Sequence, residues 1–246
     1  MLSKIRVSTD DYVMKIPARG KAEEASNLRN FILGWQDGLV NVLGIVLGVA
    51  IATSDTRIIL LAGLVATFAE SLSMAAVAYT SSKAAKDFYM GQLRRELKSI
   101  DEIPEEEVRE IREIFYDKGF RGETLEVIVN TITSDKKFWA KTMMTEELHM
   151  FPEDYEKPVK SAITVGISAI IGSLIPLAPF VFLAPVEGMV VSVIVSAGTL
   201  FATGVLKGKL TLGSWKRSGF EMALIGMLAA VVGYLIGLLF GQVIIP

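Results

Sequence analysis

Five long apolar runs constrain this chain of 246 residues more strongly than any other feature. They cover residues 31–53, 58–82, 161–183, 186–206 and 219–244. At ~1.5 Å of rise per helical residue, each run is long enough to cross a hydrocarbon layer of ~30 Å. An apolar content of 51% and a mean hydropathy of +0.46 are too high for an ordinary soluble domain. The sequence therefore predicts an all-α, polytopic membrane protein with five transmembrane helices.

The charged residues narrow the possible functions. The chain has 27 acidic and 25 basic residues, a formal net charge of -2, and no basic surplus that would indicate a nucleic-acid partner. It contains no cysteine, so disulfides, thiolate metal sites and cysteine nucleophiles are excluded. The absence of cysteine leaves the redox compartment open.

Lysines and arginines indicate the orientation in the membrane. They occur in the N-terminal segment, in the polar insert between the second and third runs and before the last run, but not around Ala184 or after Gly241. Basic segments stay on the cytoplasmic side, so we expect the insert inside and the C-terminus outside. The N-terminal segment lacks the apolar core of a signal peptide. The predicted parts are a cytoplasmic tail (1–30), transmembrane helices one and two (31–82), a cytoplasmic helical metal-binding domain (83–160) and transmembrane helices three to five (161–246).

The insert is predicted to be a small helical bundle. No proline lies between Arg57 and Ile103, so one helix can leave the membrane and continue as far as Pro104. Pro104 is suited to the first turn of a helix over 105–118, which Gly119 and Gly122 would end. A further helical region from residue 123 to about 150 is interrupted near Asp135.

Two carboxylates lie within the first two apolar runs. Asp37 is in the first run and Glu70 is near the middle of the second. An ionised carboxylate in hydrocarbon is costly unless it is protonated or paired with a cation. Metal and proton are therefore alternative occupants of one site, as coupled exchange requires. The alternatives are that Asp37 is hydrated at the membrane surface and that Glu70 is a protonated structural residue.

Small residues share the helical face that carries Asp37. Gly34, Asn41, Gly44 and Gly48 recur at intervals of three or four residues, and spacings of this kind let helix backbones approach closely. We expect this face to pack tightly against another helix.

Methionines accompany the carboxylates. Met74 lies one turn after Glu70, and a thioether beside carboxylates suits a borderline ion such as Fe²⁺. In the insert, acidic residues occur at Glu96, Glu106, Glu107, Glu110 and Glu113, and the segment TMMTEELHM places Met143, Met144 and Glu147 within one turn. A plain charge run would be a solvated helix surface.

One further pattern in this segment has the spacing of an iron-enzyme motif. Glu146 and His149 form a single ExxH, whereas a di-iron oxidase needs two such motifs.

These motifs together resemble the vacuolar iron transporter family. The resemblance rests on DGLVNVLGIVLGVA, SMAAVAYTSSKAAKDFY, ELKSIDEIPEEEVREI, MMTEEL and IPLAPF in this order, and it covers residues 31–243. It implies a homodimer with five spans per subunit and a cytoplasmic metal-binding domain between spans two and three. It also implies proton-driven export of Fe²⁺, and often of Mn²⁺. In such a dimer we expect the small-residue face of the first span to meet its mate.

The resemblance also implies ligands. Asp37 and Met74 match the family's membrane positions, and the cytoplasmic site matches Glu96, Glu107, Glu110, Met143, Met144 and Glu147. Two positions depart from the family. Its second-span glutamate aligns with Ala66, with Glu70 one turn later, and one arm glutamate aligns with Ser99, so that Asp101 or Glu102 would have to turn inward.

The sequence predicts a proton-coupled antiporter that exports Fe²⁺ and related divalent metals from the cytosol. Metal ions and protons are the expected partners, with membrane lipid and a second copy of the chain, and no prosthetic group is expected. The host would be the plasma membrane in a prokaryote or a vacuolar-type membrane in a eukaryote. The alternatives are a membrane-anchored ferroxidase, which would be an enzyme, and an uncoupled metal channel.

Overall fold

The computed structural model describes residues 20–151, 155, 157–211 and 213–244, and these contain nine helices and no strand. The helices are α1 (Gly20–Thr53), α2 (Thr56–Glu102), α3 (Pro104–Asp117), α4 (Gly122–Thr133), α5 (Lys136–Glu146), α6 (Pro158–Leu177), α7 (Pro179–Phe182), α8 (Pro185–Leu210) and α9 (Trp215–Ile244). The predicted tail lies outside the described residues as far as residue 19. The all-α prediction is confirmed for the described residues.

Five of these helices are long and apolar enough to cross a membrane, namely α1, α2, α6, α8 and α9. The number of candidate membrane-spanning helices agrees with the five that the sequence predicts. Helix α2 has 47 residues and so rises ~70 Å, more than twice the thickness of the hydrocarbon layer. Only part of α2 can therefore lie within the hydrocarbon, and its apolar part is residues 58–82.

Local chemistry explains where several helices begin. Between α1 and α2, the Asp55 carboxylate accepts the backbone N–H of Arg57 at 2.7 Å. Pro104 is the first residue of α3, as predicted. Before α5, the Asp135 carboxylate accepts the N–H groups of Lys137 (2.7 Å) and Phe138 (3.1 Å). Side-chain acceptors of this kind satisfy N–H groups that have no partner within the helix.

Two helix boundaries differ from the apolar runs. Helix α1 begins at Gly20, well before residue 31, because hydropathy marks the apolar part of a helix and not its polar extension. The third run was expected to continue to residue 183, but α6 ends at Leu177 and a short helix starts at Pro179. A proline cannot donate the N–H that would continue the helical ladder.

The chain divides into two compact units. The membrane unit contains the described residues from 25 to 80 and from 158 to 244, and α1 supplies much of its core. Leu39, Val42, Leu43 and Val46 of α1 are fully buried. These residues follow helical spacing along the most apolar part of the first run.

Glycines of α1 bring its backbone against two other helices of the same chain. A Cβ added to Gly34 or Gly38 would lie only 2.2 and 2.3 Å from carbonyl oxygens of α6, at Val165 and Ala169. A Cβ on Gly48 would lie 2.8 Å from the carbonyl oxygen of Gly233 in α9. The expectation that this face meets a second copy is therefore wrong for these glycines, because α6 and α9 already occupy it.

The helical bundle unit contains the described residues from 81 to 157 and from 20 to 24. Its core joins the C-terminal part of α2 to α3, α4 and α5 through Leu93, Ile111, Val129 and Trp139. The bundle predicted for the insert matches these helices, including the interruption at Asp135.

Candidate metal sites

The first candidate site lies in the membrane unit, between α1 and α2. The side-chain amide of Asn41 donates to Oδ1 of Asp37 at 3.3 Å and also to Oε1 of Glu70. One nitrogen thus joins carboxylates from two helices that are 33 residues apart in the chain. Asp37 and Glu70 are both half-buried. A pair of carboxylate oxygens held this close offers ligands to a divalent cation or a shared position for a proton.

Asn41 also lines an open groove between α1 and α9. The groove has a volume of about 590 Å³, and backbone glycines form much of its floor, including Gly44, Gly48, Gly233 and Gly237. The side chain of Asn41 is exposed to this groove and provides a polar group in a largely apolar surface. Asn41, which contacts both carboxylates, therefore lies next to a space that an ion or water could enter.

The structure brings two of the three predicted membrane residues together. Asp37 and Glu70 are brought together, and Met74 is half-buried one turn after Glu70 on α2. Sequence reasoning did not assign a role to Asn41, although its position four residues after Asp37 puts both on one face of α1. That spacing could not reveal the contact of Asn41 with α2.

The second candidate site lies in the helical bundle unit and centres on Glu96 of α2 and Glu107 of α3. These side chains are only 8% and 5% exposed. Oε1 of Glu96 and Oε2 of Glu107 are buried, and neither finds a hydrogen-bond donor among the described residues. Buried acceptors are normally satisfied, so each of these oxygens is a position for a proton or a cation.

Electrostatic interactions connect this pair to two other predicted residues. Burial, followed by the neighbouring carboxylate of Glu107, raises the pKa of Glu96 to about 8, and Glu147 and Glu110 add smaller contributions. Partial burial and the charge of Glu107 also raise the pKa values of Glu110 and Glu147. Four predicted glutamates therefore lie near enough to oppose one another's ionisation, and a divalent cation would relieve this repulsion.

The acidic residues of α3 separate into two kinds. Glu106 and Glu113 are exposed and form ion pairs with Arg109, at 2.8 and 3.7 Å. They fit the description of a solvated helix surface, whereas Glu96 and Glu107 do not. Within the described part of the chain, however, no three histidine, aspartate or glutamate side chains converge closely enough to enclose a metal ion.

Met143 and Met144 lie in the core of the helical bundle unit. Both are completely buried, and they belong to the same hydrophobic cluster as Ile111 and Trp139. The packing of this cluster alone explains their burial, and Glu147 immediately follows α5. Their role as ligands remains a prediction.

The ExxH pair is not assembled. Glu146 forms an ion pair with Lys118, and His149 lies beyond the end of α5 with a φ of +52°. Of the residues that might replace the glutamate missing at Ser99, Asp101 pairs with Lys136 and Glu102 with Lys98. Both of these acidic side chains are exposed, so neither has turned inward.

Comparison with known proteins covers both candidate sites. The sequence profile of the VIT family matches residues 28–238, which include every residue of the two sites. The chain belongs to the VIT family. The predicted family is thereby confirmed. This VIT-family chain also departs from the predicted family pattern at Ala66, which packs against a cluster that includes Val42 and Ile59.

This VIT-family chain is similar to several proteins named as vacuolar iron transporters. It is 33% identical over 208 residues to a vacuolar iron transporter of Centaurea cyanus, covering 84% of this chain and 85% of that protein. It is 30% identical over 232 residues to vacuolar iron transporter 2 of Oryza sativa subsp. japonica, with 94% and 92% covered. A vacuolar iron transporter of Toxoplasma gondii is 32% identical, with 87% and 74% covered. These proteins are named as transporters, which agrees with the prediction that the chain is not an enzyme.

Proposed function

We propose that this protein is a proton-coupled antiporter that exports Fe²⁺ from the cytosol. Family membership supports iron as the substrate, because the relatives are named as iron transporters. Mn²⁺ and similar divalent ions are further substrates in this proposal, since they accept the same oxygen ligands. The metal is cargo and not a resident cofactor.

The observation that carries the proposal is the joining of Asp37 and Glu70 through Asn41 inside the membrane unit. Two carboxylates in a membrane-spanning part of a protein are stable when they share a cation or when they are protonated. Because metal and proton compete for the same oxygens, protonation from the acidic side would release the metal there. Loading with metal on the other side would then release the protons. Met74 would add a soft ligand one turn away.

The helical bundle unit would collect the metal. Glu96 and Glu107 provide buried oxygens that are free to coordinate a cation, and Glu110 and Glu147 add charge beside them. Met143 and Met144 would adapt this site to a borderline ion. Ser99 supplies no carboxylate, so the site would hold fewer acidic ligands than the family pattern provides.

The proposal includes an assembly and an orientation. The protein would act as a homodimer in the lipid bilayer, with residues 83–160 and the N-terminal segment in the cytoplasm and the C-terminus outside. The distribution of lysines and arginines supports this orientation. The host membrane would be the plasma membrane of a prokaryote or a vacuolar-type membrane of a eukaryote.

Uptake of Fe²⁺ into proteoliposomes under anaerobic conditions tests the proposal. An acidic interior should accelerate uptake by the wild-type protein, and Asp37→Asn and Glu70→Gln should abolish it. Uptake that ignores the pH gradient would favour an uncoupled channel. Oxygen consumption on adding Fe²⁺ in air would instead favour the ferroxidase alternative, which the ion pair of Glu146 with Lys118 argues against.

A further inference from the structure

We propose that Asn41 is a positioning residue of the membrane site, which holds Asp37 and Glu70 together by donating to both while the site is free of metal. This inference rests on the proposed function. The side-chain amide of Asn41 donates to Asp37 within α1 and to Glu70 across to α2.

The chemistry of the amide suits this task. An –NH₂ group has two N–H donors, so it can donate to two carboxylates at once. Because it carries no formal charge, it does not compete with a metal cation for the carboxylates as the ammonium group of a lysine would. Once the protons have left, two like charges on neighbouring helices would repel each other and separate without the amide. Asn41 therefore keeps the ionised oxygens close until the next metal ion arrives.

The position of Asn41 lets it hold the two carboxylates without blocking the access of a cation to them. Its side chain is exposed and lines the groove between α1 and α9, where Gly44 and Gly48 leave room beside it. An arriving cation would displace the amide toward this space and take its place between the carboxylates. A buried amide fixed on all sides could not yield in this way.

Three substitutions of Asn41 distinguish hydrogen-bond donation from other roles of this side chain. Asn41→Leu and Asn41→Asp both keep about the size of the side chain, but neither can donate to a carboxylate when the aspartate is ionised. Asn41→Gln keeps the two donors on a longer side chain. Thr67→Val is the control, because it removes a hydrogen bond to the carbonyl of Gly63 (2.7 Å) within α2, one turn before Glu70, and leaves the carboxylates untouched.

The readout is the apparent KM for Fe²⁺ uptake, measured together with the maximal rate in proteoliposomes. Loss of a hydrogen bond to a charged group should raise the KM of Asn41→Leu and Asn41→Asp about tenfold. Asn41→Gln should recover much of this loss, and Thr67→Val should keep the wild-type KM. Size-exclusion profiles of the four variants show whether each is folded.

Two results would overturn the inference. A wild-type KM in Asn41→Leu would show that the amide is not needed. A wild-type KM in Asn41→Asp alone would show that an oxygen at this position matters and that donation does not. If the wild-type protein itself transported no Fe²⁺, the proposed function would fail, whereas normal wild-type transport with unaffected Asn41 variants would reject this inference alone.

Discussion

Glu96 and Glu107 come from different helices and each buries one carboxylate oxygen that finds no donor within the described residues. Such a pair is destabilised by charge repulsion when both groups are ionised, and it is stabilised when a proton or a cation lies between them. In the membrane unit, by contrast, Asn41 supplies a donor to both carboxylates of the pair, Asp37 and Glu70. Each unit thus holds a close pair of carboxylates from different helices.

The stability of the metal-free protein should fall as the pH rises. The pKa of Glu96 is about 8 in the folded chain, against an ordinary value of 4.5. The stability that this raised pKa contributes is therefore fully present below pH 4.5. That contribution is lost progressively up to pH 8. We expect the melting temperature with EDTA to be higher at pH 6 than at pH 8.

Glu96→Gln provides the matched test, because glutamine cannot ionise. The difference in melting temperature between pH 6 and pH 8 should shrink in this variant and persist in Glu113→Gln, whose side chain is exposed. An unchanged difference in Glu96→Gln would contradict the assignment. Added Fe²⁺ should raise the melting temperature more at pH 8 than at pH 6, because fewer protons compete for the same oxygens.

Glu146 and Glu147 are neighbours that should behave differently. Glu146 is held by Lys118, whereas the charge of Glu107 acts on Glu147. We therefore expect Glu147→Gln to weaken Fe²⁺ binding about tenfold, or ~1.4 kcal/mol, and Glu146→Gln to leave it unchanged. Anaerobic titrations of the detergent-solubilised full chain measure this.

Both variants should carry Glu70→Gln, so that the titration reports on the helical bundle unit. Equal affinities in the two variants would place Glu147 outside the metal site. Weaker binding in Glu146→Gln alone would instead revive the ExxH alternative.

Close packing of α1 against α9 should make one glycine intolerant of substitution. A Cβ on Gly233 would lie 2.1 Å from the carbonyl oxygen of Gly44, whereas one on Gly198 would meet no atom within 4 Å. We expect Gly233→Ala to destabilise the protein by about 1–3 kcal/mol through overpacking. Gly198→Ala should be neutral or stabilising by up to ~1 kcal/mol, because alanine favours helix. Thermal unfolding in detergent compares the two, and equal stability would refute the packing seen here.

The sequence predicts elements well where the signal is local. Apolar runs located the five spans, the absence of proline from Arg57 to Ile103 predicted the continuous α2, and Pro104 and Asp135 marked the start of α3 and α5. Each of these signals acts within a few residues of its own position. None of them depends on contacts with another helix.

Partners across helices are harder to predict. The spacing of Gly34, Gly44 and Gly48 showed a close-packing face, but it could not say that α6 and α9 of the same chain would cover it. Likewise, the position of Asn41 identified a face of α1 but not its contact with Glu70. Periodicity fixes which residues share a face, whereas tertiary packing alone decides what that face meets.

The most direct test of the central claim is Fe²⁺ uptake into proteoliposomes with an acidic interior, comparing the wild type with Asp37→Asn. We expect uptake that the pH gradient accelerates in the wild type and that is lost in the variant, while the variant keeps its fold. Uptake that is equal in the two proteins, or indifferent to the gradient, would contradict coupled transport through the membrane carboxylates.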